Sequence, residues 1–453
     1  MSLLTVQLGQ YGNQMGYDFF DILSQELDLY QGDAYHTFFT EKERGSHVAR
    51  CVLVDMEEKV VNRALELASK TNKWSYNNEN VFVRESGAGN NWAFGYARLS
   101  VLMQDPVLEL VRKEAEASNN LEGFLLFHSL AGGTGSGVGT HLSEILHDEF
   151  PSKILINQVA WPFISGDVVV QHFNGMLTLA HLNQVSDGII FSENEVLQSI
   201  SQQELKIDQP SFFDMNKIVA ENVCGLFLPS RSIDIRQTRD QNVFNKLDQK
   251  SLNTAVSRLQ SSPSQIINHL CCHSGFKLLS FKSFPHVPPR SRSFEDIPWK
   301  TIVPKLSGMV GSNAKTEQQS RNVSEHIRPQ SVSLSNVVSL RGMQHVPTDF
   351  EALQRDLNVF SRSLFNASWA LNPVLLRHSP LPFRKVPMSG VVCSNSQACL
   401  PPLQNLIATA TQMQSAGAHL NHYAEYGIGK DHFTDCLEEV QQINENYSSL
   451  SYT

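Results

Sequence analysis

The chain has 453 residues, 41% of them hydrophobic and 18% charged, with a formal net charge of −9. It is apolar enough to fill a sizeable core and too low in charge for a disordered or purely electrostatic protein. The acidic balance, with a pI near 6.0, argues against the clustered basic face of a nucleic-acid binder, and no apolar run approaches the ~20 residues of a membrane crossing.

The length points to two or three structural units. Met1–Gly9 has neither the basic flank nor the long apolar core of a signal peptide, so Leu3–Leu8 is expected to be a strand, in a cytoplasmic or nuclear protein. Met15, Phe19, Leu23 and Leu27 recur every four residues and mark one helical face. Arg50–Val54 is a β-branched run ending at Asp55, and Val60–Ala68 has a helical pattern. Pro106–Ala117 is expected to be a helix with its proline in the first turn and Val107, Leu110 and Val111 on one side. Gly123–Phe127 is a continuous apolar strand, and Val138, Leu142 and Ile145 form the next helical face. Ile154–Val159, Val168–Gln184 and Gly188–Phe191 then read strand, helix, strand. Such alternation predicts an α/β fold with a mostly parallel sheet flanked by helices.

Beyond residue 200 the pattern changes. Asp214–Leu226 reads as a helix, whereas Arg231–Ser262 is polar and reads as an insertion or a loop holding a short helix. Phe276–Phe284, Ser333–Arg341 and Ser389–Ser394 are strand-like, in a second, mixed α+β unit. His286–Ser293 is a proline-bounded basic loop and Asn313–Gln330 is polar. Two helices, Pro402–Gly417 and Lys430–Tyr447, close the chain. Seven scattered cysteines do not form a disulfide framework. The run His269-Leu270-Cys271-Cys272-His273 has the wrong spacing for a zinc knuckle and reads as two ordinary thiols.

The sharpest signal is Ala131-Gly132-Gly133-Thr134-Gly135-Ser136-Gly137, between a strand and a helix. Glycines permit backbone angles and close approaches that a Cβ forbids. The main-chain N–H groups can converge on anionic oxygens, assisted by the positive end of the following helix. No Gly-Lys-Ser/Thr follows, so the loop is not a Walker A motif. Gly9-Gln10-Tyr11-Gly12 after the first strand lacks the spaced glycines of a dinucleotide fingerprint. Gly87-Ala88-Gly89-Asn90-Asn91-Trp92-Ala93 is a further glycine/asparagine loop. Ligands of parallel sheets sit beyond the carboxyl ends of strands, so these loops predict a phosphate cradle. Asp55 and Glu57 can hold a hydrated Mg²⁺ there, and Asp55 serves equally well as a helix N-cap.

Together these segments resemble the tubulin superfamily. Ala131–Gly137 is similar to its signature loop, and Val6–Gln10, Val54–Glu57, Gly87–Trp92, Ser192–Glu195 and Phe212–Asn216 match in order and spacing. The resemblance runs nearly end to end, and Gly89–Tyr96 and Asn157–Pro162 are most similar to the delta branch. It implies a tubulin/FtsZ-like GTPase domain over residues 1–205. An intermediate α+β domain over 206–388 follows, carrying the polar insertion 231–262, then a last strand and C-terminal helices over 389–453. It also implies GTP or GDP and Mg²⁺ as ligands.

By the same resemblance, Gln10, Gly89, Asn90 and Ala131, Gly132, Gly133, Thr134, Gly135, Ser136 and Gly137 contact phosphates, with Asp55 and Glu57 near Mg²⁺. Asp167 and Gln171 stand at ribose positions, where Gln171 replaces a glutamate. Asn194 and Asn216 read the guanine edge, and Phe212 stands where a tyrosine stacks on the base; core packing is the plain alternative for it. Gln265 stands at the acidic position that orients water on a neighbour's γ-phosphate, and an amide cannot accept that water's proton.

The expected function is a GTP-binding structural protein of the centriole or basal body, acting in triplet microtubules and ciliogenesis. Expected locations are the cytoplasm, cytoskeleton, cilium and nucleus. The implied partners are other tubulins (epsilon-tubulin, or alpha- and beta-tubulin) and centriolar proteins, not nucleic acid or membrane. Arg290 and Arg292 in the basic loop point to an acidic partner. The alternatives are an active GTPase that polymerises or switches, against which Gln265 counts, and a dehydrogenase, against which the absent dinucleotide fingerprint counts.

Overall fold

The computed structural model describes residues 2–30, 33–41, 47–84, 87–166, 168–233, 262–294, 297–312, 331–342, 365–371 and 373–451. The expectations for Asp167, for most of the polar insertion 231–262 and for residues 313–330 lie outside them.

One sheet of twelve strands organises the chain. In chain order these are β1 (Ser2–Leu8), β2 (Cys51–Asp55), β3 (Val81–Val83), β4 (Leu121–Ser129), β5 (Ile154–Trp161) and β6 (Gly188–Glu193). They continue with β7 (Arg231–Ile233), β8 (Leu278–Phe284), β9 (Val332–Arg341), β10 (Phe365–Asn366), β11 (Val374–Ser379) and β12 (Ser389–Ser396). The spatial order is β3-β2-β1-β4-β5-β6-β8-β12-β9-β11-β7, with β10 beside β9.

From β3 to β8 every pairing is parallel. The parallel half joins the mixed half through Leu278 opposite Ile189 and Leu279 opposite Ile190. Beyond that join, β12 is antiparallel to both β8 and β9. The chain runs outward from β1 to β3 on one side, then returns to lay β4 to β6 on the other. The order therefore reverses between β1 and β4, which leaves a crevice at their carboxyl ends.

Helices cover both faces because strand residues alternate and both sides are apolar. Leu3, Leu125 and Phe127 face α1 (Gly9–Leu27), α7 (Phe212–Phe227) and α8 (Pro263–Leu270). Leu4, Val6, Leu8, Phe124 and Leu126 face α3 (Ser100–Glu116) and α4 (Gly139–Glu149). A third cluster packs α5 (Gln171–Val185), α10 (Leu400–Ser415) and α11 (Lys430–Ser448) against Val159, Ile189 and Leu278. Met15, Phe19, Leu23 and Leu27 are all buried, as their spacing requires. Each is worth about 1.5–3 kcal/mol of apolar burial. The other helices of eight or more residues are α2 (Glu58–Lys70), α6 (Asn194–Gln203) and α9 (Trp299–Gly311), and a short helix, Asn421–Ala424, stands between α10 and α11. Among the described residues no helix is long and apolar enough to cross a membrane.

Two expectations need correction. Pro106 lies inside α3 and not in a first turn. The helical path begins earlier, at Trp92, where the Asn91 side chain caps the N–H groups of Ala93 and Phe94, and it reaches α3 through a π turn at Gly95–Leu99. Met103, Val107 and Val111 anchor the buried face of α3 while Pro106 is exposed, so the ring and the carbonyl it leaves unpaired face water. Second, Arg292 is not free for an acidic partner. Its guanidinium donates to Glu221 at 2.8 Å and to the Val287 carbonyl at 3.1 Å.

Candidate nucleotide-binding site

The crevice between β1 and β4 is walled by the glycine loops. Gly9 follows β1 directly with a φ of +69°, a left-handed angle that favours glycine. A Cβ on Gly9 would stand 3.2 Å from the Gly135 nitrogen. Gly12 admits no side chain at all, because a Cβ there would run into the Phe127 carbonyl of β4. Glycine at these two positions lets α1 start against β4 and brings the first loop onto the loop at 131–137.

The loops at 87–92 and 131–137 interlock. A Cβ on Gly137 would meet the Trp92 carbonyl, and one on Gly95 the Gly133 carbonyl. At the rim the picture reverses. Among the described residues a Cβ on Gly87 or Gly89 would meet nothing within 4 Å, and the nearest atoms to a Cβ on Gly132 are 3.9 Å away. Gly89 and Asn90 both have positive φ, +57° and +53°. The chain is thus tight underneath and open above, which suits main-chain contact with an anion. Thr134–Val138 forms a π turn that runs into α4, so the helix's free N–H groups and positive end point at the same opening. Within the loop the Ser136 hydroxyl bonds the Gly132 carbonyl.

Asn174, fully buried on α5, ties these pieces together. Its Nδ2 donates to the carbonyls of Asn90 at 2.8 Å and Ala131 at 2.7 Å. Its Oδ1 accepts from the Trp92 N–H at 3.0 Å and the Tyr423 hydroxyl at 2.6 Å. Asn91 adds a second link to the C-terminal helices by donating to the His422 carbonyl at 2.9 Å. Sequence reasoning missed Asn174. The signal was a lone amide inside the apolar run Phe173–Leu179, since a buried polar group there must find partners.

At the end of β2, Asp55 Oδ1 accepts from the N–H groups of Met56 at 2.7 Å and Glu57 at 3.3 Å. Asn13 on α1 donates to the Val54 carbonyl and, at 3.4 Å, to Asp55 Oδ2. Burial raises the Asp55 carboxyl to about 6, against the lowering effect of those N–H groups. A nearby cation would reverse the rise. Glu57 and Gln10 are exposed at the same edge.

The far end of the crevice is lined by the starts of α6 and α7. Asn194 opens α6 and is half-buried. Ser211 and Asp214 form a reciprocal capping box that fixes the start of α7. Phe212 follows with 57% of its surface exposed, so it is not a core residue; its ring lies 6.3 Å from that of Phe163. One turn on, Asn216 is buried, and its Nδ2 has no hydrogen-bond partner among the described residues. A buried amide donor without a partner is costly, and a polar ligand edge would relieve it. An aromatic face, a donor in need of an acceptor and an open anion cradle suit a purine nucleotide. Gln171, in contrast, is already engaged by the chain itself. Its Nε2 donates to the Phe163 carbonyl at 2.6 Å and pins that loop.

Gln265 lies at the other end of the sheet. It is exposed on α8, whose first turn is held by Glu122 at the start of β4. The Glu122 carboxylate accepts from the Ser264 N–H and hydroxyl, each at 3.1 Å. β4 has nine residues, so at ~3.3 Å per residue Gln265 is separated from this chain's own glycine loop by roughly 25–30 Å.

Residues 2–202 match the Tubulin/FtsZ family, GTPase domain. Over nearly the whole length the chain is also similar to tubulin delta chains. It is 31% identical to that of Homo sapiens, covering 99% of this chain and 100% of the relative. It is 32% identical to that of Mus musculus and 31% to that of Macaca fascicularis, with the same coverage.

Proposed function

Since the chain belongs to the tubulin family, we propose that it is a GTP-binding cytoskeletal protein of the delta-tubulin kind. On this reading it works at centrioles and basal bodies, in forming or maintaining triplet microtubules and in ciliogenesis. The observation that carries the nucleotide part is the crevice at the β1/β4 reversal, where loops tightly packed below and open above meet the start of α4.

Guanine nucleotide lies in this reading with its phosphates over Ala131–Gly137, Gly89, Asn90 and Gln10. Its base lies on Phe212, with Asn216 and Asn194 at the purine edge. Asp55 and Glu57 face Mg²⁺ through water, and Asp167 and Gln171 are assigned to the ribose side. For Gln171 the assignment requires its bond to the Phe163 carbonyl to yield. Residues 1–205 form the nucleotide domain, 206–388 the intermediate domain and 389–453 the C-terminal region. The partners are other tubulins and centriolar proteins, with the chain in the cytoplasm and at the cilium, and in the nucleus as well.

The distance of Gln265 from this chain's own cradle supports a head-to-tail arrangement in which one chain's α8 meets its neighbour's phosphates. Its amide favours a binder over an active GTPase.

The test is to denature purified full-length protein and identify what it releases. One guanine nucleotide per chain is expected. Asn216→Ala should leave the nucleotide-free fold as stable as before, because it removes an unpaired donor. It should weaken GTP by roughly 10- to 100-fold, the worth of about 1–3 kcal/mol at a buried polar contact. A folded preparation that carries no nucleotide and binds neither GDP nor GTP would overturn the reading, and release of a nicotinamide dinucleotide would favour a dehydrogenase.

A further inference from the structure

Behind the loop at 87–92, three side chains from two helices converge on one small space. His181 is on α5; His432 and Cys436 are one turn apart on α11. Their ligand atoms all lie within 4.8 Å of one another. His181 Nε2 is 3.2 Å from His432 Nε2, and Cys436 Sγ is 3.7 Å from the same His432 nitrogen. We propose that His181, His432 and Cys436 form a site for a divalent transition-metal ion of the zinc class, which fastens the C-terminal helix α11 to α5.

Two of the three distances, His181 to His432 and His432 to Cys436, are those between ligands of one metal ion, and the third lies within 4.8 Å. With Zn–N of about 2.0–2.1 Å and Zn–S of about 2.3 Å, the edges of a tetrahedron are about 3.3 Å between nitrogens and about 3.6 Å from nitrogen to sulfur. One imidazole nitrogen, one more imidazole nitrogen and a sulfur are also the donor set that selects zinc over magnesium or calcium. His432 is half-exposed, so water can reach the cluster and serve as a further ligand.

The second observation is Glu144 on α4. Its Oε1 is 2.6 Å from His181 Nδ1. A carboxylate only accepts, so Nδ1 carries the hydrogen and Nε2 of the neutral ring presents a lone pair to His432 and Cys436. Carboxylate-to-histidine contacts of this kind orient metal-binding imidazoles. Glu144 is itself fixed by the Tyr96 hydroxyl at 2.8 Å, and Tyr96 stacks on Trp92 at 4.3 Å, which gives the pocket an aromatic wall. Hydrogen bonding alone leaves this cluster poorly matched. The His432 nitrogen has at most one hydrogen to share between His181 and the cysteine sulfur. A cation takes all three lone pairs, and the Cys436 thiol proton passes to solvent as the sulfur becomes a ligand.

The inference does not rest on the nucleotide reading, and its test does not use GTP. Full-length protein is stripped with a chelator, desalted and titrated with CoCl₂. One equivalent should bind, giving visible bands of a tetrahedral ion and a near-ultraviolet sulfur-to-cobalt band that ZnCl₂ then abolishes. Cys436→Ser should lose the sulfur band. His432→Gln, at a half-exposed position that should fold normally by circular dichroism, should lose uptake. Glu144→Ala should weaken affinity by about 10- to 100-fold. Cys271→Ser with Cys272→Ser, at the adjacent cysteines outside the cluster, should leave cobalt uptake unchanged. Absence of saturable uptake near one equivalent, uptake that survives His432→Gln, or a sulfur band that survives Cys436→Ser would overturn the site.

Discussion

The Tyr423 hydroxyl donates to Asn174 Oδ1 at 2.6 Å, with both side chains fully buried and 249 positions apart in sequence. Through Asn174 the C-terminal helices thereby grip the carbonyls of Asn90 and Ala131, one in each of two glycine loops. Asn174→Ala leaves those carbonyls and the Trp92 N–H without their partner. It should cost at least about 2 kcal/mol in urea unfolding and weaken GTP through loosened loops. Tyr423→Phe removes one bond and should cost only about 0.5–1.5 kcal/mol. Equal stability of Asn174→Ala and wild type would remove Asn174 from this role.

Two glycines of one loop should separate folding from binding. A methyl group on Gly137 drives into the Trp92 carbonyl, so Gly137→Ala must spread the two loops apart. Overpacking of this kind costs about 1–3 kcal/mol, and the melting temperature should fall. Gly132 has nothing nearer than 3.9 Å to a new methyl group, so Gly132→Ala should melt like wild type. Its methyl group instead enters the space assigned to phosphate, and GTP affinity should drop. A Gly132→Ala protein that binds GTP normally would place the phosphates elsewhere.

These two cases also mark what sequence could reveal. The strands and helices of the parallel half were legible because a sheet buried on both faces leaves continuous apolar runs such as Gly123–Phe127, and because glycine clusters punctuate them. Pro106 misled for a local reason: a proline suits a first turn, but burial of Met103, Val107 and Val111 carries the helix past it. Arg292 looked free because its partner, Glu221, lies 71 residues away on α7. Asn174 meets its partners, and His181 meets His432, only through tertiary packing, the latter across 251 positions. Of these contacts only the i, i+4 spacing of His432 and Cys436 is local. The exposure of Phe212 and the unpaired Nδ2 of Asn216 likewise become visible only once α7 is set against its neighbours.

Acid should weaken the fold through His128. This residue is fully buried at the end of β4, with Nε2 3.0 Å from Asn157 Oδ1. Burial pushes its pKa down to about 4, against the raising effect of its hydrogen bonds. In the unfolded chain the ring titrates near ~6.5. Between these values the unfolded state binds the extra proton, so stability rises with pH. The contribution is full above about pH 6.5 and is lost as pH falls toward 4, by roughly 3 kcal/mol in all. Urea midpoints measured from pH 7.5 to 4.5 should fall accordingly, and more gently in His128→Gln. Parallel curves for the two proteins would assign the acid sensitivity to other groups.

Gln265 gives the most direct access to hydrolysis. It is exposed on α8, with the first turn of that helix secured by Ser262 and Glu122, so Gln265→Glu changes no buried contact. A carboxylate so near a helix N-terminus is also favoured by the helix dipole. The separation of α8 from this chain's own glycine loop means that a new base there can act only on a neighbouring chain. Turnover by isolated Gln265→Glu protein should therefore equal that of wild type. In a complex with a tubulin partner the variant should hydrolyse the partner's GTP faster, by up to about 10²–10⁴-fold for a well-positioned base. Phosphate release measured with and without partner separates the cases. A rise in the isolated chain would contradict the head-to-tail reading, and equal rates of the two proteins in the complex would show that the amide at 265 is not what limits hydrolysis.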